Sequence, residues 1–362
     1  MYSGQLAIAK REVESEYSRY IKKKCLIVLT LVAALVATCI LSLAAGSSGL
    51  SLLEIVDALL GGGTAASSTI IWNVRMPRIA AGIGVGVALA MAGCVMQNVL
   101  RNPLASASTL GVSQGASFGA AVAIVYFGAG IQVNSGSAAA ITVTNPYMVT
   151  VCAFLGGIAT TAVILALSRV NGVTPSTMVL AGVAISALFT GATTLVQYFC
   201  DDVMIATVVY WTFGSLGRAG WHEIAMIFFF AGVAFVYFIF NRWNYNAMEG
   251  GTHTAKSLGV PVDTLILVSM TICALISAVS VAFVGCINFI GLIAPHMVRK
   301  FVGNDYRFLI PCSALTGALL MLAADIMSRM LIAPTILPIG ALTSFLGAPL
   351  FLHMIIKKGN IK

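Results

Sequence analysis

The 362-residue chain is 59% apolar and only 9% charged, whereas soluble domains run near about 25% charged. With a mean hydropathy of +0.98, that excludes a soluble globular protein and points to an all-α polytopic membrane protein. The formal net charge of +8, which in a soluble chain would suggest nucleic acid, is explained by membrane topology, so no nucleic-acid partner is expected.

Residues 1–24 are polar and carry Lys10, Arg11, Arg19 and Lys22 to Lys24, directly before an apolar run at 25–45. This polar segment stays in the cytoplasm by the positive-inside rule. The apolar run is longer than the core of a secretory signal and lacks a small-residue cleavage site, so it reads as a retained first helix. A single transmembrane domain then extends from 25 to 362. Further spans are expected at 79–100, 108–129, 148–168, 177–198, 222–241, 263–284, 287–302, 307–330 and 335–356, judged by length and flanking charge. That makes about ten, and an even count puts both termini in the cytoplasm of a multi-pass protein. On this topology 16 of the 20 Lys and Arg fall inside, and only Arg75, Arg78, Arg218 and Arg329 fall outside.

The stretch around the second span carries the strongest local pattern. An uncharged run lies between Arg75-Met-Pro-Arg78 and Arg101-Asn-Pro-Leu-Ala105, with Gln97 and Asn98 its only strongly polar side chains. Beyond it, Gly111, Gly115 and Gly119 recur every fourth residue, a spacing that puts them on one helical face for close helix packing. Arg75, Arg78 and Arg329 each sit at the outer mouth of a span. They either snorkel to lipid and pair locally, with Asp325 four residues before Arg329, or form a guanidinium ring for carboxylates of an outer partner. The segment 200–221, with Asp201, Asp202, Trp211 and Trp221, is read as amphipathic and interfacial.

On the inner side, Asn241 to Pro261 is the loop long enough to form a docking platform. Its Ala255-Lys256-Ser257-Leu258-Gly259 run suits a short helix ended by glycine. Next, Gly285 to His296 reads as a short helix interrupted by Gly and Pro, of the kind that lines a pathway or makes a kinked packing element. The eight cysteines, Cys25, Cys39 and the rest, are dispersed with no Cys-x-x-Cys, so buried free thiols are expected and no metal site or cofactor.

Taken in order, these motifs resemble the FecCD-type permeases, the membrane subunits of ABC importers for iron–siderophore, haem and cobalamin. The likeness rests on the Arg75 to Arg78 and Arg101 to Ala105 motifs, Gly93 with Gln97, Leu110-Gly111 with Gly115-Ala116, and Leu180-Ala-Gly-Val-Ala184. It continues through Trp211 with Gly214-Ser-Leu216, Phe289-Ile-Gly-Leu-Ile-Ala-Pro-His296, Ala324-Asp325 with Arg329, Leu337-Pro-Ile-Gly340 and Gly347-Ala-Pro349. The resemblance implies a type II ABC importer-like homodimer with two cytoplasmic ATP-binding subunits and an extracytoplasmic substrate-binding protein, in the cytoplasmic (inner) membrane. It also implies residue roles. Arg75, Arg78 and Arg329 would meet glutamates of the binding protein. Ala255, Lys256, Ser257, Leu258 and Gly259 would touch the ATPase. Asn102 and Leu104 would help close a cytoplasmic gate, with Thr174 and Ser176 in a second one. Residues 1–24 fall outside the resemblance.

Two other classes are weaker. An ion-gradient-driven secondary transporter needs an intramembrane ionisable group, for which Asp325 and His296 are the candidates. An intramembrane enzyme has no support, because His222, His253, His296 and His353 are scattered without a His-Glu-x-x-His pattern. Nor does a Gly-x-x-x-x-Gly-Lys-Ser/Thr loop occur, so a partner must supply ATP hydrolysis.

Overall fold

The computed structural model describes residues 2–46, 49–128, 130–135, 138–143, 145–170, 175–333 and 335–359. The chain folds as a polytopic helical bundle with one small hairpin. In lipid no water satisfies backbone N–H and C=O groups, so long apolar segments close their hydrogen bonds internally as helices.

The first helix, α1 (Tyr2–Ala44), runs unbroken from the polar N-terminal segment into the apolar span. A short helix α2 (Leu52–Leu60) follows, started by a capping box between Ser51 and Glu54 and ended by Gly61 at φ 85. The helix α3 (Ala65–Thr69) passes through a π-helical stretch, Ile70–Arg75, into α4 (Met76–Val99). Arg75 and Arg78 therefore lie within one helical rod from 65 to 99 rather than at the mouth of a span starting at 79. Then come α5 (Val112–Tyr126) and a hairpin, β1 (Gly130–Ser135) and β2 (Ala138–Val143), paired antiparallel with Gly130 opposite Val143.

The next pair is α6 (Pro146–Val170) and α7 (Pro175–Tyr198). The segment expected to lie at the interface contains α8 (Asp202–Thr212), capped by Asp201, and a 3₁₀ turn at Leu216–Arg218. Beyond α9 (Trp221–Phe240), the inner loop folds into two short helices, α10 (Arg242–Glu249) and α11 (Thr252–Ser257). The chain ends with α12 (Val262–Val284), α13 (Ile290–Val302), α14 (Tyr306–Met330) and α15 (Ile339–Gly359). Each expected span thus finds a helix. Two of these helices are short: α5 with 15 residues and α13 with 13 each reach only about 20 Å, below a hydrocarbon core of about 30 Å, and seven helices among the described residues are long and apolar enough to cross.

The core is built around α4. Of its most apolar window 83% is buried inside the protein, against 6% for α1 and 11% for α7. Lipid offers no hydrophobic drive for helices to associate, so packing density decides. A methyl group on Gly93 would fall 1.7 Å from the Gly291 carbonyl oxygen of α13, and one on Gly86 2.5 Å from that of Gly317 on α14. Only glycine permits these approaches. On α5, Gly115 and Gly119 press on Gly156 and Cys152 of α6, with 2.3 and 2.0 Å from their carbonyl oxygens to an added methyl. Gly111 is instead the left-handed residue that starts α5, at φ 84.

Between α12 and α13 the chain leaves helical geometry, with Gly285 at φ 85 and Phe289 at φ 67. The freed backbone groups find partners inside the bundle. Ser215 N–H donates to the Val284 carbonyl at 2.7 Å, and the Ile290 N–H to the Asn288 carbonyl at 2.9 Å.

Candidate functional site

Arg75, Arg78 and Arg329 do not stand free in the single chain. Arg78 Nε donates to Asp325 Oδ1 at 2.5 Å. Arg329, one turn beyond Asp325 on α14, donates to Oδ2 through Nε at 3.0 Å. Asp325 is fully buried, so one carboxylate serves two guanidinium groups drawn from α4 and α14. The pairing of Asp325 with Arg329 follows from their spacing, but that with Arg78 spans 247 positions and has no local sequence signal. Arg329 also donates to Ser42 Oγ at 2.8 Å and to the Ala45 carbonyl. Arg75, itself buried, donates to the carbonyl of Leu43. These oxygens are the unpaired acceptors at the C-terminal end of α1, where cations are electrostatically favoured. Arg75 and Arg329 thus fasten α1 to the core, while Arg78 ties α4 to α14 through Asp325.

Arg218 is the fourth arginine at this end. It is exposed and donates from Nη1 to the Trp211 carbonyl and from Nη2 to that of Tyr210, both at 3.3 Å. The surrounding protein pushes its pKa below the ordinary arginine value through desolvation.

At the opposite end, α10 and α11 form a platform tied to the core. Tyr245 and Met248 bury one face of α10, and the Tyr245 hydroxyl meets Ser269 Oγ of α12 at 2.8 Å. Burial drives the Tyr245 pKa far above the tyrosine range. Asn98, near the end of α4, donates to the Tyr245 carbonyl and to Glu249 Oε1, both at 3.1 Å. Glu249 in turn accepts from Tyr306 Oη at 3.1 Å and Asn304 Nδ2 at 2.9 Å. Asp305 holds Arg307 at 2.8 Å and Lys24 of α1 at 3.6 Å. Desolvation pushes the Asp305 carboxyl up, but hydrogen bonds from Arg307 and Asn246 outweigh it and leave the pKa below the usual range.

Of the five residues expected to touch a partner here, Lys256, Ser257, Leu258 and Gly259 are exposed, with Leu258 at 69%. Ala255 is fully buried, so it anchors the turn from beneath and offers no surface. Gly259 adopts φ 83 and ends the helix as its sequence foretells. The helix itself begins three residues before Ala255.

The Asn102 to Leu104 turn closes on itself, with Leu104 N–H donating to Asn102 Oδ1 at 2.9 Å, and Leu104 is 45% exposed. Ser176 is exposed in the first turn of α7. Thr174 lies outside the described residues. The sequence reading missed a polar chamber of about 330 Å³ between α5, α7 and the 285–289 break, lined by Ser113, Gln114, Thr190, Thr194, Gln197 and Asn288. Thr190, Thr194 and Gln197 recur at the i, i+4, i+7 spacing of one helical face, which is the signal that would have found it.

The sequence matches the FecCD transport family over residues 34–357. A protein of Methanocaldococcus jannaschii named as an ABC transporter permease is 49% identical over 346 residues, covering 96% of this chain and 98% of that one. The hemin transport system permease of Yersinia pestis is 36% identical over 289 residues, covering 80% and 84% respectively. A solved structure described as an inward-facing metal-chelate type ABC transporter superposes with a TM-score of 0.79 at 30% identity, covering 91% of this chain and 99% of its own.

Proposed function

This chain belongs to the FecCD transport family and is a permease subunit of an ABC importer, and from that premise we propose how its two ends divide the work. It passes a metal chelate, of the class that includes iron–siderophores, haem and cobalamin, delivered by a substrate-binding protein and driven by a partner ATPase. The observation that carries this reading is the separation of the two clusters. An arginine-rich end (Arg75, Arg78, Arg218, Arg329) and an exposed 256–259 turn lie on opposite sides of the bundle.

In this reading the N- and C-termini and the α10–α11 platform are cytoplasmic, and two copies of the chain enclose the path. The ATPase presses on Leu258 and its neighbours. Motion then reaches α4 through Asn98 and Glu249, and α14 through Tyr306, because those side chains are hydrogen-bonded to the platform. Asn102 and Leu104, with Ser176 and Thr174, form the inner closure. Arg75, Arg78 and Arg329 meet glutamates of the binding protein. Arg78 and Arg329 together carry two positive charges against the single negative charge of Asp325, so a net positive charge remains for a partner to meet.

The test is uptake into proteoliposomes holding this chain and its ATPase, with labelled ferric siderophore, haem or cobalamin on the cognate binding protein. Uptake of a chelate only with ATP and the binding protein is the expected result. Uptake driven by an ion gradient without either partner would overturn it.

A further inference from the structure

We propose that the outer pocket beside Arg218 is a binding site for an anionic chelate, with Arg218 receiving the cargo's negative charge. This rests on the importer reading above and names the substrate class and first contact for it.

The pocket has a volume of about 540 Å³ and lies between α8, the 213–218 turn and residues 336–338. Tyr210 and Phe213 form an aromatic edge, their rings 5.9 Å apart and nearly perpendicular. Trp211 lies buried in its wall, with the Arg218 guanidinium carbon 5.8 Å from the indole centre. Arg78 contributes from the other side, but its charge is engaged by Asp325. Arg218 has no carboxylate partner among the described residues. Its two bonds to backbone carbonyls are long, at 3.3 Å, and a guanidinium carries five N–H donors. Three donors therefore remain on an exposed, permanently charged side chain.

No acid among the described residues lines the pocket, and Asp201 and Asp202 sit at the far end of α8. Asp201 caps the far end of α8 by accepting from Met204 N–H at 2.8 Å, roughly 15 Å along the helix from Arg218. Glu223 accepts from Gly220 N–H at 2.9 Å. The pocket's lining, among the described residues, carries two arginines and no acid, and Tyr210, Trp211 and Phe213 give it an aromatic side.

Size decides between a small ligand and a protein side chain. A volume of this order suits a small molecule, whereas one carboxylate side chain from a docked protein would leave most of it empty. The polar chamber lies on the other side of α8, whose Thr212 faces it while Trp211 and Phe213 face the outer pocket. No charged side chain lines that chamber among the described residues, whereas Arg78 and Arg218 line the outer pocket.

The experiment measures equilibrium binding of radiolabelled ferric citrate, an anion, and ferrichrome, an uncharged ferric hydroxamate. Both are offered to the complete permease–ATPase complex in nanodiscs at low ionic strength. Arg218→Gln should weaken ferric citrate binding roughly tenfold or more, the effect of a lost charge-assisted hydrogen bond, and leave ferrichrome unchanged. Arg218→Lys should retain part of the preference, and added salt should erode it in the wild type. Should Arg218→Gln fail to assemble, the lysine variant and the salt series decide the matter. Equal ferric citrate affinity in wild type and variants would overturn the proposal. So would wild-type binding with no preference for the anion, or a loss confined to capture of the binding protein. Failure of ATP-driven uptake in the same preparation would count against the importer reading and leave the binding result standing.

Discussion

Replacing Asp325 should be far more damaging than replacing either arginine that holds it. Asp325 is fully buried, and the side chains of Arg78 and Arg329 are only 9% and 11% exposed. Removing one partner of a buried ion pair costs about 3–5 kcal/mol because the other charge is left uncompensated. Asp325→Leu strands two guanidinium groups and belongs at the upper end, while Asp325→Asn keeps a neutral acceptor and belongs near about 3 kcal/mol. Arg78→Gln leaves Asp325 still paired with Arg329 at 2.9 Å, so it should cost about 1–3 kcal/mol, the range for a lost charge-assisted bond. Thermal unfolding of the solubilised complex, followed by size-exclusion fluorescence, should rank stability as Arg78→Gln above Asp325→Asn above Asp325→Leu. At about 2–4 °C per kcal/mol, Asp325→Asn should fall by roughly 6–12 °C. An Arg78→Gln variant as unstable as Asp325→Asn, or an Asp325→Leu variant indistinguishable from wild type, would refute the shared-carboxylate argument.

Gly93→Ala should prevent normal assembly, since its methyl would lie 1.7 Å from the Gly291 carbonyl oxygen. Gly191→Ala on α7, where an added methyl meets nothing within 4 Å, should be neutral or stabilise by up to about 1 kcal/mol; expression and unfolding temperature of both variants check this. Leu258→Asp should uncouple ATP hydrolysis from uptake while leaving the unfolding temperature unchanged, whereas Ala255→Asp should destabilise the permease by placing a charge in a closed site. Asp305→Asn should lower stability at neutral pH. Because the folded Asp305 pKa is depressed, its contribution is complete above the ordinary value of about 3.9 and is lost as pH falls through the folded value. The difference between variant and wild type should therefore shrink below about pH 4 in acid-unfolding curves.

What the sequence made legible was whatever rests on local chemistry. Hydropathy located the spans because lipid forces each segment to satisfy its own backbone. Gly259 ended its helix as expected, because a left-handed residue after a helix needs no distant partner. The elements missed are those whose cause lies elsewhere in the chain. Nothing near Gly93 in sequence announces Gly291, and nothing near Arg78 announces Asp325. The helical start at Ala65, where α3 runs through the π-helical stretch into α4, was hidden because Arg75 and Arg78 looked like terminal charges, yet the C-terminal end of α1 supplies the acceptor that lets Arg75 be buried.

The same reasoning explains why Arg218 was passed over among the outer arginines. By sequence it has no acid at helical spacing to suggest a pairing. In the fold that absence reverses in meaning. Arg75, Arg78 and Arg329 spend hydrogen bonds on the carboxylate of Asp325 or on the end of α1. Arg218, among the described residues, has two long bonds to carbonyls at the end of α8 and a stacking contact with Trp211 but no carboxylate, and it lines a pocket. Charge that the structure has already neutralised is a poor guide to a ligand, and charge left without a carboxylate is a better one.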